Sequence, residues 1–404
     1  MEFPAWSPIM PQRILLAAAT ACFLVCLPTL ADQPNDGKTP PKEISRPNQY
    51  EHGDIVISPA TADEPGAATL SLVKADEHLQ QAAAAWTGSR KCVSCHTNGT
   101  YLYIRPELSQ TFGKPDSDIR QFFVQQLEKL QNTPAKRLQS GTRPAQAIYI
   151  AAGLAQWDRY VSGTLSSKTQ EALSLMFEMQ IESGTWNSLD CWPPFESSEF
   201  QEATMAAMAI HAAPGWLQDL EDEQAAEGVY RLIRYLQESD APHEYGEVLR
   251  LWASLRLPYI RSHEQQQQTI DLLCQHQHED GGWSMRDFAT PEQWGGGNRA
   301  NKLRSESEFE TPDSDGHMTG LAVIVLQEAG NTPDLRERIE RGLQWIRTNQ
   351  KASGRWWARS LNTDKSHFIT YSATAYSLLA LQRDIQQGFH SSRNDMASPA
   401  LDID

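Results

Sequence analysis

Five consecutive residues, Cys92-Val93-Ser94-Cys95-His96, carry the most specific chemistry in this chain. Two thiols three positions apart, with an imidazole directly after the second, read as a site of covalent haem c. The thiols would add to the haem vinyl groups, and His96 would become an axial iron ligand. With six Cys and 11 His in 404 residues, roughly 0.002 such strings are expected by chance. The sixth iron position would fall to another His such as His211 or His317, to a Met such as Met176, or to water. The same residues also suit a Cys92–Cys95 disulfide, or a Zn site that adds Cys191.

A second group is Asp313-Ser314-Asp315-Gly316-His317, just before a run of small apolar residues. Asp313, Ser314 or Asp315 suits first an N-cap of the helix that runs from Met318 to Glu328, and a carboxylate here is also a candidate general acid. The dense stretch Asp190-Cys191-Trp192-Pro193-Pro194-Phe195-Glu196-Ser197-Ser198 reads as a rigid loop that ends in a cap at Ser198. Glu196, Glu199 and Glu202 lie too close along one helix start to define an acid and base pair. His276 and His278 point apart on a helix, so they do not make a metal pair.

Composition restricts the setting. Subtracting 51 Asp and Glu from 35 Lys and Arg gives a net charge of -16 with no basic block, which excludes a nucleic-acid footprint. Ile14 to Leu30 is an apolar run behind Arg13 that ends in Thr29-Leu30-Ala31, the layout of a signal peptide over residues 1–31. A lipoprotein reading through Cys22 or Cys26 is disfavoured by the apolar residues after Cys22 and by Val25. Export to the periplasm or the extracellular space is therefore expected, where haem c is attached, and no further segment is long and apolar enough to span a bilayer. Residues 32–66, rich in Pro, Asn, Asp, Lys and Glu, read as a disordered linker, and 386–404 as a flexible tail.

The elements that must position these groups are helices. Apolar residues recur at helical spacing over roughly 67–88, 116–132, 142–160, 167–181, 199–212, 222–237, 243–256, 262–277, 317–329, 334–349 and 367–383. About eleven helices approach what six hairpins need, and the globular body spans 67–385. Three predicted helices end in the same string: Gln180-x3-Gly184-x-Trp186, Gln277-x3-Gly281-x-Trp283 and Gln350-x3-Gly354-x-Trp356. Trp186 to Thr204 and Trp356 to Thr374 are each 18 residues, while Trp283 to Thr319 is 36, so the middle unit holds an insertion. Its polar stretch around Trp294 to Glu310 reads as a flexible loop. Gly would supply a left-handed residue, Trp would cover the turn, and the Gln amide would satisfy a helix end.

The segment from Arg341 to Trp356, Arg-Gly-Leu-Gln-Trp-Ile-Arg-Thr-Asn-Gln-Lys-Ala-Ser-Gly-Arg-Trp, resembles the QW repeat of squalene cyclases and prenyltransferases. The units at Gln180 and Gln277 keep the core of that repeat without its leading basic residue. The resemblance covers roughly 140–385 and implies an all-α (α/α) toroid around a central cavity, often apolar, suited to an isoprenoid or other apolar ligand. It also implies that Asp313 and Asp315 match the first two acids of the cyclase motif Asp-x-Asp-Asp-Thr-Ala, with Gly316 in place of the third. Protein prenyltransferases of similar fold hold Zn with Asp, Cys and His, which Asp313, Cys274 and His317 would have to imitate. Likewise, Cys95-His96-Thr97-Asn98 resembles the start of a cytochrome c site.

Three functions follow as expectations. The first is an exported toroid with haem c, serving electron transfer to a redox protein or haem-linked redox chemistry beside an apolar cavity. The second is a degenerate terpenoid cyclase or isomerase with Asp315 as acid. The third is a toroid that binds a ligand without catalysis.

Overall fold

The computed structural model describes residues 49–395 except 190–192, 196–197, 296–297, 308, 331 and 363–367. The expected signal peptide, the linker up to residue 48, and residues 396–404 of the tail lie outside the described residues. Strands β1 (Tyr50–His52) and β2 (Ile55–Ile57) form an antiparallel hairpin in which Tyr50 pairs with Ile57. The helices that follow are α1 (Leu72–Arg90), α2 (Thr100–Ile104), α3 (Ser109–Phe112), α4 (Ser117–Gln131), α5 (Ala135–Leu138), α6 (Arg143–Trp157), α7 (Ser167–Glu178) and α8 (Glu199–Ala212). Then come α9 (Glu223–Glu238), α10 (Glu244–Arg256), α11 (His263–Gln275), α12 (Asn298–Arg304), α13 (Gly316–Ala329), α14 (Pro333–Thr348) and α15 (Phe368–Asp395).

Helix type divides by composition. Helix α9 buries Ala225, Val229, Leu232 and Leu236, one face at spacings of three and four, as an outer helix must. Helix α8, with Ala203, Thr204, Ala206 and Ala207, is buried nearly all round, because small residues let it pack between neighbours. The inner helices close a circle: α2 packs on α6, α6 on α8, α8 on α10, α10 on α13, α13 on α15, and α15 again on α2. Outside them, α4 and α7 lie on α6, α9 on α8, α11 on α10 and α13, and α14 on α13 and α15, while α1 lies against α15. Among the described residues this makes six outer-to-inner hairpins: α1/α2, α4/α6, α7/α8, α9/α10, α11/α13 and α14/α15. The all-α toroid is the observed architecture. No helix among the described residues is long and apolar enough to cross a membrane.

Three hairpin turns share one construction. The amide nitrogen of Gln180 donates to the carbonyls of Gly184 (3.0 Å) and Gly228 (2.9 Å), that of Gln277 to Gly281 (2.8 Å) and Arg338 (2.9 Å), and that of Gln350 to Gly354 and Ser71 (both 2.9 Å). Each Gln thus ties its own turn to the next outer helix, and the third ties the last hairpin to the cap of α1. The indoles of Trp186, Trp283 and Trp356 donate back to the carbonyls of Met176, Leu273 and Ile346, each at 2.7 Å. Gly281 has φ +89, and a Cβ there would lie 2.7 Å from the Arg341 carbonyl oxygen, so only glycine fits.

Three expectations are corrected. Residues 49–66 are ordered, because the turn of the last hairpin grips them: Arg355 pairs with Glu64 at 2.9 Å and donates to the Ser58 carbonyl, and Lys351 donates to the carbonyl of Ala62. The insertion is folded as well. A 3-10 turn at Met285–Phe288 and helix α12 bury Phe288, Trp294 and Leu303, and Arg286 meets Glu306 at 2.8 Å with both side chains almost fully buried. Helix α15 also runs to Asp395, past the residue at which a flexible tail is expected.

Candidate functional site

All three repeat turns and the Cys92–His96 string join an outer helix to the start of an inner one, so they gather at the amino-terminal end of the inner helices. Cys92 is half-buried and Cys95 is buried, and both are thiols. Asn98 fixes their loop: its carbonyl oxygen accepts from the Ser94 N–H at 2.8 Å, and its amide donates to the Cys92 carbonyl at 3.0 Å. Cys95–Gly99 makes a wide turn of π type into α2, and the Thr100 hydroxyl donates to the Cys95 carbonyl at 2.6 Å. His96 Nδ1 meets Thr97 Oγ1 at 2.8 Å, and that hydroxyl meets the Tyr50 hydroxyl at 3.2 Å. Trp86 stands edge-on to the imidazole at 4.8 Å. Burial pushes His96 down to about 3, so the ring is neutral.

Asp315 is at the same end. It caps α13, accepting at 2.9 Å from the N–H groups of His317 and Met318, and its second oxygen accepts from the Met285 N–H at 2.7 Å. Burial raises its carboxyl above the ordinary range, and these three backbone donors act the other way. Asp315, Asp313, Ser314, Asp280, Arg286 and Trp345 share a cleft of about 740 Å³. Asp313 is exposed there. Ser314 Oγ lies 2.8 Å from Asp280 Oδ1 and 3.0 Å from His278 Nδ1, and His278 Nε2 lies 2.8 Å from Asp287. The hydrogen bond to Asp287 raises His278 above its ordinary value. Sequence reasoning missed this chain; its signal was the imidazole and carboxylate already inside the second repeat turn.

Among the described residues, side chains meet across the middle of the ring at the level of Trp252 and His317. His317 bonds the Tyr245 hydroxyl at 3.0 Å and Ser372 Oγ at 2.7 Å, with Phe195 edge-on at 5.8 Å. Trp252 of α10 crosses to Tyr103 of α2, on the opposite side of the circle, with ring centres 6.0 Å apart. Burial pushes His317 down to about 3.

The other candidates are dispersed. His211 ends α8 with Nδ1 3.0 Å from the Arg256 carbonyl, Met176 lies in outer helix α7, and Cys274 in outer helix α11. Cys191, Glu196 and much of the dense loop lie outside the described residues, but Ser198 does cap α8. Glu202 is buried and Glu199 starts the same helix. Among the described residues no three His, Cys, Asp or Glu side chains converge on a metal ion.

The opposite end of the inner helices holds an ionic network. Glu328 of α13 accepts from Arg256 Nε (3.0 Å) and NH2 (2.7 Å), from Arg383 (2.6 Å) and from the Trp252 indole (3.0 Å), and Arg383 also meets Glu107 at 2.7 Å. Burial would raise Glu328, but hydrogen bonds and charge from Arg256 and Arg383 outweigh it and hold the carboxyl down to about 2.

No family model and no curated protein matches the chain. Among solved structures, it is similar to an aspartate-to-alanine variant of the type II terpene cyclase MstE from Scytonema, in complex with merosterolic acid A. The likeness has 12% identity and a TM-score of 0.40, and covers 77% of this chain and 98% of that one. The ring of six hairpins stands on its own contacts and not on this likeness.

Proposed function

We propose that this chain is an exported ring protein that carries haem c on Cys92 and Cys95, with His96 as axial iron ligand, and that it serves electron transfer. The observation that carries the reading is the intact Cys-x2-Cys-His string in a turn fixed by Asn98. The donor set suits the group: two thiols, and an imidazole kept neutral by burial. With Nδ1 engaged by Thr97, iron would be met through Nε2, and the Thr97–Tyr50 hydroxyl pair would hold the ring's orientation. When bound, haem supplies one-electron chemistry. The chain's own part is to attach it, fix the imidazole and exclude water with Trp86. Cys95 is 3% and His96 7% exposed, so attachment belongs before the ring closes. The net charge of -16 favours a basic redox partner.

The test is a pyridine haemochrome spectrum on denatured protein made with a c-type maturation system. About one covalent haem per chain is expected. No haem, with Cys92→Ser and Cys95→Ser both folding normally, overturns the reading.

A second reading rests on Asp315, whose carboxyl is buried, shifted upward and set on the 740 Å³ cleft. There it would be the acid of a shortened terpenoid cyclase or isomerase acting on an isoprenoid alkene. The three backbone N–H groups on its oxygens favour the ionised form and weigh against that role. Asp315→Asn, which can still cap α13, should abolish turnover of a polyprenoid while Cys95→Ser leaves it intact. Turnover at the parent rate in Asp315→Asn would remove the acid role.

A further inference from the structure

At the carboxy-terminal end of the inner helices, a pocket of about 290 Å³ is lined by Gln156, Arg159, His211, Arg256, Glu328 and Arg383, with Tyr160 at its rim. Four inner helices, α6, α8, α10 and α13, end here, and their partial negative charges explain why cations collect. The cations exceed that need. Arg256 and Arg383 are matched by Glu328 and Glu107, whereas Arg159 is exposed, pairs with no carboxylate among the described residues, and spends one N–H on the His211 carbonyl at 3.1 Å. Three guanidinia against two carboxylates leave one cation in excess, in a chain of net charge -16.

The pocket also offers an acceptor in His211. Its Nδ1 lies 3.0 Å from the Arg256 carbonyl and must therefore carry the proton, and burial beside Arg256 and Arg159 holds the ring neutral, down to about 4, which leaves Nε2 of this lining residue as a lone pair. A fully deprotonated oxyanion would meet the guanidinia but set its charge against that lone pair. An oxyanion that keeps a hydroxyl can meet the guanidinia and donate to Nε2.

We infer that this pocket binds a phosphate group that retains a P–OH proton, either inorganic phosphate or a phosphate monoester, with Arg159 as its unshared cation and His211 Nε2 as acceptor of its proton. Arg256 and Arg383, locked by Glu328, provide a fixed rear wall. The site is independent of the turns that hold Cys92 and Asp315, so it stands or falls apart from the haem reading.

The experiment is isothermal titration of the full mature chain at pH 6.5 with inorganic phosphate, then with sulfate, which has the same shape but no proton at that pH. Phosphate is expected to bind at one site, at least about 10-fold more tightly than sulfate, and Arg159→Gln to weaken it at least about 10-fold. A phosphate monoester in the same cell tells the two sources apart. Because Arg159 is exposed, its variant should keep the parent's circular dichroism and melting. Equal affinity for sulfate and phosphate, no heat up to about 10 mM phosphate, or an unchanged affinity in Arg159→Gln would each overturn the inference.

Discussion

The two ends of the inner helices are built on different principles. At the amino-terminal end the ties are caps and amide bonds: Ser198 and Asp315 cap α8 and α13, and each repeat turn closes between a Gln and a Gly four residues later, with the same Gln amide reaching the next outer helix. At the carboxy-terminal end the ties are between buried charges, with Arg256 and Glu328 separated by 72 positions and Arg383 and Glu107 by 276. Short-range capping is tolerant of single losses, because water or a neighbouring N–H can substitute. A buried ionic hub is not, because removing one member strands the others.

Acid should separate the ends most widely. His317, near the amino-terminal end, and His78 on α1 are neutral in the fold at about 3, each lowered by burial. Their unfolded value is near 6.5, so the unfolded chain binds more protons between those limits, and stability falls as pH drops below 6.5. Glu328 is depressed to about 2 from 4.5, so its contribution is present above 4.5 and lost as pH falls toward 2. Urea melts from pH 7 to 2 should therefore show a loss that begins below 6.5 and steepens below 4.5, with the steepening reduced in Glu328→Gln. A single transition near pH 4 would contradict the division.

Next in size, Glu328→Ala strands the guanidinia of Arg256 and Arg383 and should cost roughly 3–5 kcal/mol in chemical denaturation. A loss under about 1 kcal/mol would mean the hub is solvated and the contrast false. The smallest effect belongs to the other end: Gly281→Ala forces a left-handed residue against the Arg341 carbonyl and should cost about 1–3 kcal/mol. A loss as large as that of Glu328→Ala would show that the turns are no more tolerant than the hub.

The same division explains what could be read from sequence. The expected helices at 199–212 and 243–256 agree with α8 and α10 to within a residue, because caps and periodicity are local. The repeat turns were legible for the same reason. Helix α2, five residues long, fell below any periodic signal and owes its shape to its neighbours. The β1–β2 hairpin has strands of three residues, too short for a periodic signal, and packs against α1, and the insertion is held by the buried Arg286–Glu306 pair. At the candidate site, the residue types Cys92, Cys95, His96 and Asp315 were legible. Their burial, the Thr97–Tyr50 hydroxyl pair and the His278–Ser314 contact were not, since each depends on residues far apart in the sequence.

The last repeat turn has a consequence for timing. Gln350 grips Ser71, 279 positions earlier, and Lys351 and Arg355 grip residues 58–64. A chain made from its amino terminus cannot complete these contacts until almost all of it exists, and contacts this distant in sequence form late. The hairpin that carries Cys92 and Cys95 therefore stays unclasped through most of synthesis. The final turn acts as a clock that sets how long the two thiols can be reached.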